Sequence, residues 1–337
     1  MTAQAGKKQS VPAGPLDRLS DLLAEDMKSV NAEIIRRMDS PVALIPKLAS
    51  YLIAAGGKRI RPLMTLASTS IFSGDIKRAH SLAAAVEFIH TATLLHDDVV
   101  DESTARRGQD SANLVFGNQA SVLVGDFLFS RAFQLMVDDG SLDVLRILSD
   151  ASAIIAQGEV MQLATANNLS TGIGEYLEVI RAKTAALFAA ACEVGPVIAG
   201  ADAASTKAMA EYGLNLGIAF QIADDALDYA ATQDKIGKTP GDDFREGKMT
   251  APVILALMKA SSEEIKFWAR TLGEKQQTEQ DFNEACRLIK KHDSIAQSLE
   301  LANDYGNKAR LALAEAPDHP MRALLDELIF YTISRES

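Results

Sequence analysis

The sequence predicts an all-α protein, a single large helical bundle around a deep central cavity. Three observations lead there. Apolar residues recur at helical spacing in one segment after another, and no strand-like alternation persists along the chain. Aromatics make up only 6% of the residues while alanine and leucine are plentiful, a composition that favours helix. Two stretches share one Asp-Asp-x-x-Asp spacing, Asp97-Asp98-Val99-Val100-Asp101 and Asp224-Asp225-Ala226-Leu227-Asp228, and both lie in apolar, helix-compatible surroundings.

The first helix is expected over Leu16–Met38, where Leu16, Leu19, Leu22, Leu23, Met27, Val30, Ile34 and Ile35 form a stripe. Pro41 closes it and opens a second, which runs to Ala55. Leu63–Phe72 is short and apolar. A long helix, with its body at Asp75–Thr104, carries the first aspartate triplet near its end. Arg106 and Arg107 belong to its closing turn and Gly108 is its stop. Phe116–Val137, Leu142–Ala166 and Tyr176–Ala199 follow. Ala203–Tyr229 ends in the second triplet, with Gly213 and Gly217 on one face to permit close helix contact. Ala230–Gly247 reads as a loop, and one that long inside a compact domain is commonly a functional lid. Pro252–Lys259, Ser262–Thr271, Glu279–Lys290, Ser294–Ala314 and Met321–Ser334 are amphipathic helices, with Trp268 and Phe282 packed inside.

Composition narrows the function. The 337 residues contain no Ser/Gly-rich linker and no long charge run, so 15–337 is expected as one domain behind a disordered polar lead, 1–14. That lead lacks the apolar core of a signal peptide. No apolar run approaches the length of a membrane span. A net charge of −11 argues against a nucleic-acid partner, and an anionic substrate would need local cations or metal. Cys192 and Cys286 make neither a disulfide framework nor a metal cluster, which points to a reduced, cytoplasmic compartment.

The triplets carry the chemistry. On a helix Asp97 and Asp101 stand one above the other, and like charges so placed cost a few tenths of a kcal/mol. A bound divalent cation would offset that. Two chance matches at this aspartate frequency have odds of about one in a hundred. Carboxylates suit Mg²⁺, which commonly bridges to substrate phosphate. Gly56-Gly57-Lys58-Arg59-Ile60-Arg61-Pro62 reads equally as an anion cradle and as a basic turn. His90 lies two turns before Asp97 on the same side, though a lone histidine is more often structural than a ligand. Lys183 reads equally as an anion contact and as a lysine snorkelling from a packed helix. Gln157-Gly158-Glu159-Val160-Met161-Gln162 places polar groups on an apolar helix, a weak sign of hydrogen-bonded work. Metal and cations around a diphosphate stabilise the charge on a departing diphosphate, and apolar walls would shelter the cation left behind.

Taken together, these landmarks resemble the all-trans polyprenyl diphosphate synthases, the long-chain branch of the isoprenyl diphosphate synthases. The resemblance runs from about Leu16 to the C-terminus and covers Gly57–Pro62, His90, the first triplet with Arg106-Arg107, Lys183-Thr184, Gln221 with the second triplet, Gly237-Lys238 and Gly247-Lys248. It implies the isoprenoid synthase fold. It implies that Lys58, Arg61, His90 and Arg107 hold isopentenyl diphosphate. Asp97, Asp101 and Asp224 would bind Mg²⁺, roughly three ions per active site, supported by Asp98, Asp225 and Asp228. Arg106, Lys183, Thr184, Gln221, Lys238 and Lys248 would contact an allylic diphosphate of farnesyl or geranylgeranyl type. The allylic cation then adds to the isopentenyl double bond, and the departing diphosphate takes the final proton. A homodimer, a role in ubiquinone side-chain synthesis and weak membrane association at product release are further implications.

Product length follows from size. In the resembled family the residues just before the first triplet floor the product tunnel, and here they are Ala92 and Thr93. Small residues leave the path open past Ile89 and Val86, so products of about eight to ten isoprene units are expected. Phe127, Phe129 and Phe133 are candidate stoppers. Three rivals compete with this reading, and one of them, a phosphate-binding storage protein, would leave the apolar tunnel without a purpose. A terpene cyclase would turn over an allylic diphosphate alone and would not need the basic cluster at Lys58, Arg61 and His90. A non-catalytic subunit of a heteromeric synthase should have lost one triplet.

Overall fold

The computed structural model describes residues 14–54, 56–106, 108–230 and 241–334. Helices follow one another through the chain: α1 Pro15–Leu22, α2 Ala24–Arg37, α3 Leu44–Ala54, α4 Ile60–Ile71, α5 Ile76–Val100, α6 Ala112–Phe116, α7 Asn118–Asp139, α8 Leu142–Thr165, α9 Ile173–Ile180, α10 Ala186–Ile198 and α11 Ala203–Ala230. The C-terminal helices are α12 Asp242–Glu246, α13 Ala251–Leu257, α14 Ser262–Trp268, α15 Asp281–Lys291, α16 Ser294–Leu313 and α17 Pro320–Ser334. Two π-helical turns, Arg181–Ala185 and Ala269–Gly273, interrupt the regular pitch. Such turns are frequent at functional sites, and the first of them carries Lys183 and Thr184.

Local sequence explains the boundaries. Asp75 accepts a hydrogen bond from Lys77 N at 2.9 Å and starts α5. Ser261 and Glu264 form a capping box at the start of α14. Helix α5 stops earlier than its apolar pattern suggests. It ends at Val100, not in a turn holding both arginines. Asp101 caps it, Glu102 takes a φ of +51°, and Ala105–Arg106 pairs antiparallel with Gln109–Asp110. The physical reason is long-range: Arg106 folds back to bond buried Asp98 from Nε at 2.8 Å and Nη2 at 2.5 Å. Among the described residues this two-residue ladder is the only strand pairing.

One continuous apolar core runs from Leu16 to Ile333. Helix α10 lies at its centre, packed against α4, α8 and α11, while α5 packs against α4 and α7. The glycines at 213 and 217 do let helices approach. A Cβ at Gly213 would strike Phe188 O, and one at Gly217 would lie 2.7 Å from Ala185 Cα. Trp268 is fully buried, and Phe282 packs beside Phe244 and Tyr229 as an aromatic cluster under α12. Helix α7 is long and apolar enough to cross a membrane by length and composition, with a mean hydropathy of 1.4. It packs instead along α5 and presents Leu123, Phe133 and Val137 outward.

Candidate active site

The C-terminal ends of α5 and α11 bring the two triplets to one region. From α5, Asp97 and Asp101 point toward lysines that belong to other elements. Lys183 Nζ is 2.6 Å from Glu159 Oε2 on α8 and 3.4 Å from Asp97 Oδ2. Lys248 Nζ is 3.1 Å from Asp101 Oδ2 and also pairs with Glu246. Around the second triplet the contacts are mainly hydrogen bonds. Thr184 Oγ1 donates to Gln221 Oε1 at 2.8 Å, Gln221 Nε2 donates to Asp225 Oδ1 at 2.7 Å, and Tyr176 Oη donates to Asp225 Oδ2 at 2.6 Å. Asp228 accepts from the backbone N–H groups of Gly241 and Asp243 at 3.0 and 3.1 Å, and so anchors the start of α12. A pocket lies between these groups, lined by Lys183, Thr184, Gln221, Asp225, Asp243 and Lys248 among others.

Charge is concentrated here. Burial pushes the Asp225 carboxyl up to about 7, although Tyr176 and Gln221 oppose the shift. Burial and then neighbouring Asp97 push Glu159 up to about 7 as well. Asp97 is raised by burial, with Lys183 opposing, and Asp228 is raised by burial against its backbone donors. Asp243 is raised strongly by burial and by Asp225 and Asp228. For Lys183 burial alone would lower the pKa, but Asp97 and Glu159 outweigh it and the ammonium is held. The same holds for Lys248 against Asp243, Asp101 and Glu246.

Among the described residues no three acidic, histidine or cysteine groups form a ready cation cage. The donor set still fits a hard divalent ion, because Mg²⁺ takes one or two carboxylates and completes its shell with substrate phosphate. Several half-buried carboxylates with weakened acidity, and a Glu159 Oε1 that is buried with no hydrogen-bond partner, are what such an ion would relieve.

A second basic group lies further back along α5. Arg61 Nη1 is 3.2 Å from His90 Nε2, and its guanidinium sits 4.4 Å from the Phe188 ring centre. Lys58 is exposed, three residues before Arg61 in the chain. An apolar cleft opens next to this group, bounded by Arg59, His90, Asp98 and Arg106 and walled by Ile34, Met38, Phe88, Thr91, Leu95 and Leu128. Val86, Ile89 and Ala92 are fully buried on another face of α5 and do not line this cleft, and Thr93 is half-buried. Phe127 packs under Arg131, Phe129 stacks on His96, and Phe133 is 42% exposed. Arg107 and Lys238 lie outside the described residues. Glu159, Tyr176, Asp243 and Glu246 were not among the expected site residues. Glu159 had a signal as a polar group on an apolar helix, Asp243 and Glu246 fall in the stretch read as a lid, and Tyr176 had none.

Comparison with known proteins decides the family. The family described as Polyprenyl synthetase matches residues 42–289. The chain belongs to that family. It is a transferase of the prenyltransferase type. It is 41% identical over 321 residues to the octaprenyl diphosphate synthase of Escherichia coli, covering 95% of this chain and 99% of that one. Two crystal structures from the polyprenyl synthases are similar throughout. A polyprenyl synthase from Caulobacter crescentus, complexed with calcium and isoprenyl diphosphate, is 52% identical with a TM-score of 0.93, covering 97% of this chain and 100% of that one. A decaprenyl diphosphate synthase from Rhodobacter capsulatus is 52% identical with a TM-score of 0.91, covering 96% and 100%. Family membership thus agrees with the all-α fold and with an enzyme that makes polyprenyl diphosphates.

Proposed function

We propose that the protein extends an allylic diphosphate of farnesyl or geranylgeranyl type by repeated addition of isopentenyl diphosphate, giving an all-trans product of about C40–C50 for a quinone side chain. Lys183 and Lys248 pair with Asp97 and Asp101 of the first triplet and line one pocket with Gln221 and Asp225 of the second stretch; that arrangement carries this reading, together with the separate basic group at Arg61 and His90. One cluster suits a diphosphate that leaves, and the other suits a diphosphate that stays.

Asp97, Asp101 and Asp224 would hold Mg²⁺, and Asp98, Asp225 and Asp228 keep their surroundings in shape through Arg106, Tyr176, Gln221 and the backbone at the start of α12. When bound, the metal supplies positive charge against the departing diphosphate. Lys183, Lys248 and Arg106 add fixed positive charge there, with Thr184 and Gln221 orienting the phosphate oxygens. Arg107 and Lys238 complete the two sets. Lys58, Arg61 and His90 bind the isopentenyl diphosphate. The apolar side chains beneath exclude water while a carbocation exists. Its addition to the isopentenyl double bond forms the new carbon–carbon bond, and the departed diphosphate accepts the proton that is lost.

A homodimer suits the outer apolar face, where Leu114, Val115, Leu123, Val137, Val160 and Leu163 on α6, α7 and α8 are each more than 40% exposed. A cytoplasmic enzyme with weak membrane association would release so apolar a product at a lipid surface. The test is mass analysis of products from isopentenyl diphosphate, farnesyl diphosphate and Mg²⁺. A ladder ending near C40–C50 supports the reading. Products that stop at C15–C20, or turnover of the allylic diphosphate without isopentenyl diphosphate, would overturn it.

A further inference from the structure

We propose that Glu159 is the positioning residue for Lys183: from α8 it holds the ammonium aimed at the departing diphosphate and keeps it from settling on Asp97. This rests on the reading above that Lys183 meets the allylic diphosphate.

Three features support it. Lys183 sits in the π-helical turn Arg181–Ala185, where the backbone widens and side-chain direction departs from that of a regular helix. Helix α8 is pressed against that turn: a Cβ on Gly158 would lie 2.7 Å from Lys183 N and 2.9 Å from Ala182 Cβ. The residue after that glycine is therefore brought within reach of the lysine, and Glu159 Oε2 takes its ammonium at 2.6 Å. The competing acceptor, Asp97 Oδ2, stands at 3.4 Å. An ammonium lodged on Asp97 would occupy lone pairs that a divalent ion needs. A charge-assisted bond to Glu159 holds it back while leaving its other protons for phosphate.

The experiment uses full-length protein with Glu159→Gln and Glu159→Asp. Binding of farnesyl thiodiphosphate, an allylic analogue that resists ionisation, is measured by calorimetry over a range of Mg²⁺ concentrations, and the KM values of both substrates are measured alongside. For Glu159→Gln we expect analogue binding about tenfold weaker, a several-fold higher Mg²⁺ requirement and an unchanged KM for isopentenyl diphosphate. Glu159→Asp, which keeps the charge, should recover to within about threefold of wild type. Unchanged binding and Mg²⁺ requirement in Glu159→Gln would overturn the proposal, and so would a parallel loss in both KM values that the aspartate does not rescue. If the wild-type protein itself fails to bind the analogue, the reading of Lys183 falls and the proposal with it.

Discussion

Lys248 Nζ lies 3.1 Å from Asp101 Oδ2 and also pairs with Glu246, so one ammonium joins the end of α5 to the segment that follows α12. It ties the first triplet to α12, whose start is anchored by Asp228 of the second triplet. Asp101 belongs to the first, while Asp243, the leading source of Lys248's raised pKa after burial is overcome, neighbours the second. Lys248→Met should leave these carboxylates without their shared cation. We expect kcat/KM to fall about 10²- to 10³-fold, read by steady-state kinetics at saturating Mg²⁺.

The raised carboxyls make a prediction about pH. Asp225 and Glu159 stand near 7 in the folded chain, above their ordinary range, so the folded state holds protons that the unfolded state releases. Their contribution to stability is therefore complete below about pH 4 and is lost as pH rises through about 7. Thermal melts of metal-free protein should show Tm falling between pH 5 and 8, and Mg²⁺ with inorganic diphosphate should reduce the fall. A Tm that climbs across that window would contradict the assignment.

Tyr176 is 3% exposed and donates its hydroxyl to Asp225. Tyr176→Phe removes the donor and keeps the ring. Leaving a buried carboxylate short of one partner costs about 1–3 kcal/mol, measurable by denaturant unfolding. The same change should raise the Asp225 pKa further and move the acid limb of the kcat profile to higher pH.

Ala92 is fully buried on α5, next to Ile89 and Val86 along the helix. Ala92→Phe should shorten the products, at a packing cost of about 1–3 kcal/mol. Thr91→Phe fills the neighbouring cleft instead, and comparing the two by product mass shows which face of α5 the growing chain follows.

Much of this was legible in the residues themselves. Helical spacing located the long elements, and Gly213 and Gly217 announced a close crossing that the packing of Phe188 and Ala185 bears out. The triplets marked the region of the site because their spacing alone puts like charges on one face. The stop of α5 at Val100 was not legible, because it depends on Arg106 turning back eight residues to a buried Asp98. Glu159 was hard to weigh for a similar reason: its partner is 24 residues away and reaches it through a π-helical turn that no periodicity marks. Which face of α5 meets the apolar cleft is likewise set by α2 and α7, whose placement is tertiary.

The convergence of the triplets can be measured directly. Binding of farnesyl thiodiphosphate with Mg²⁺ should be followed by calorimetry in wild type, Asp97→Asn, Asp224→Asn and the double variant. If both triplets hold one metal-bound diphosphate, each single change should weaken binding at least about tenfold and the double loss should fall well short of their sum. Additive losses, or a single variant that binds as well as wild type, would contradict a shared site.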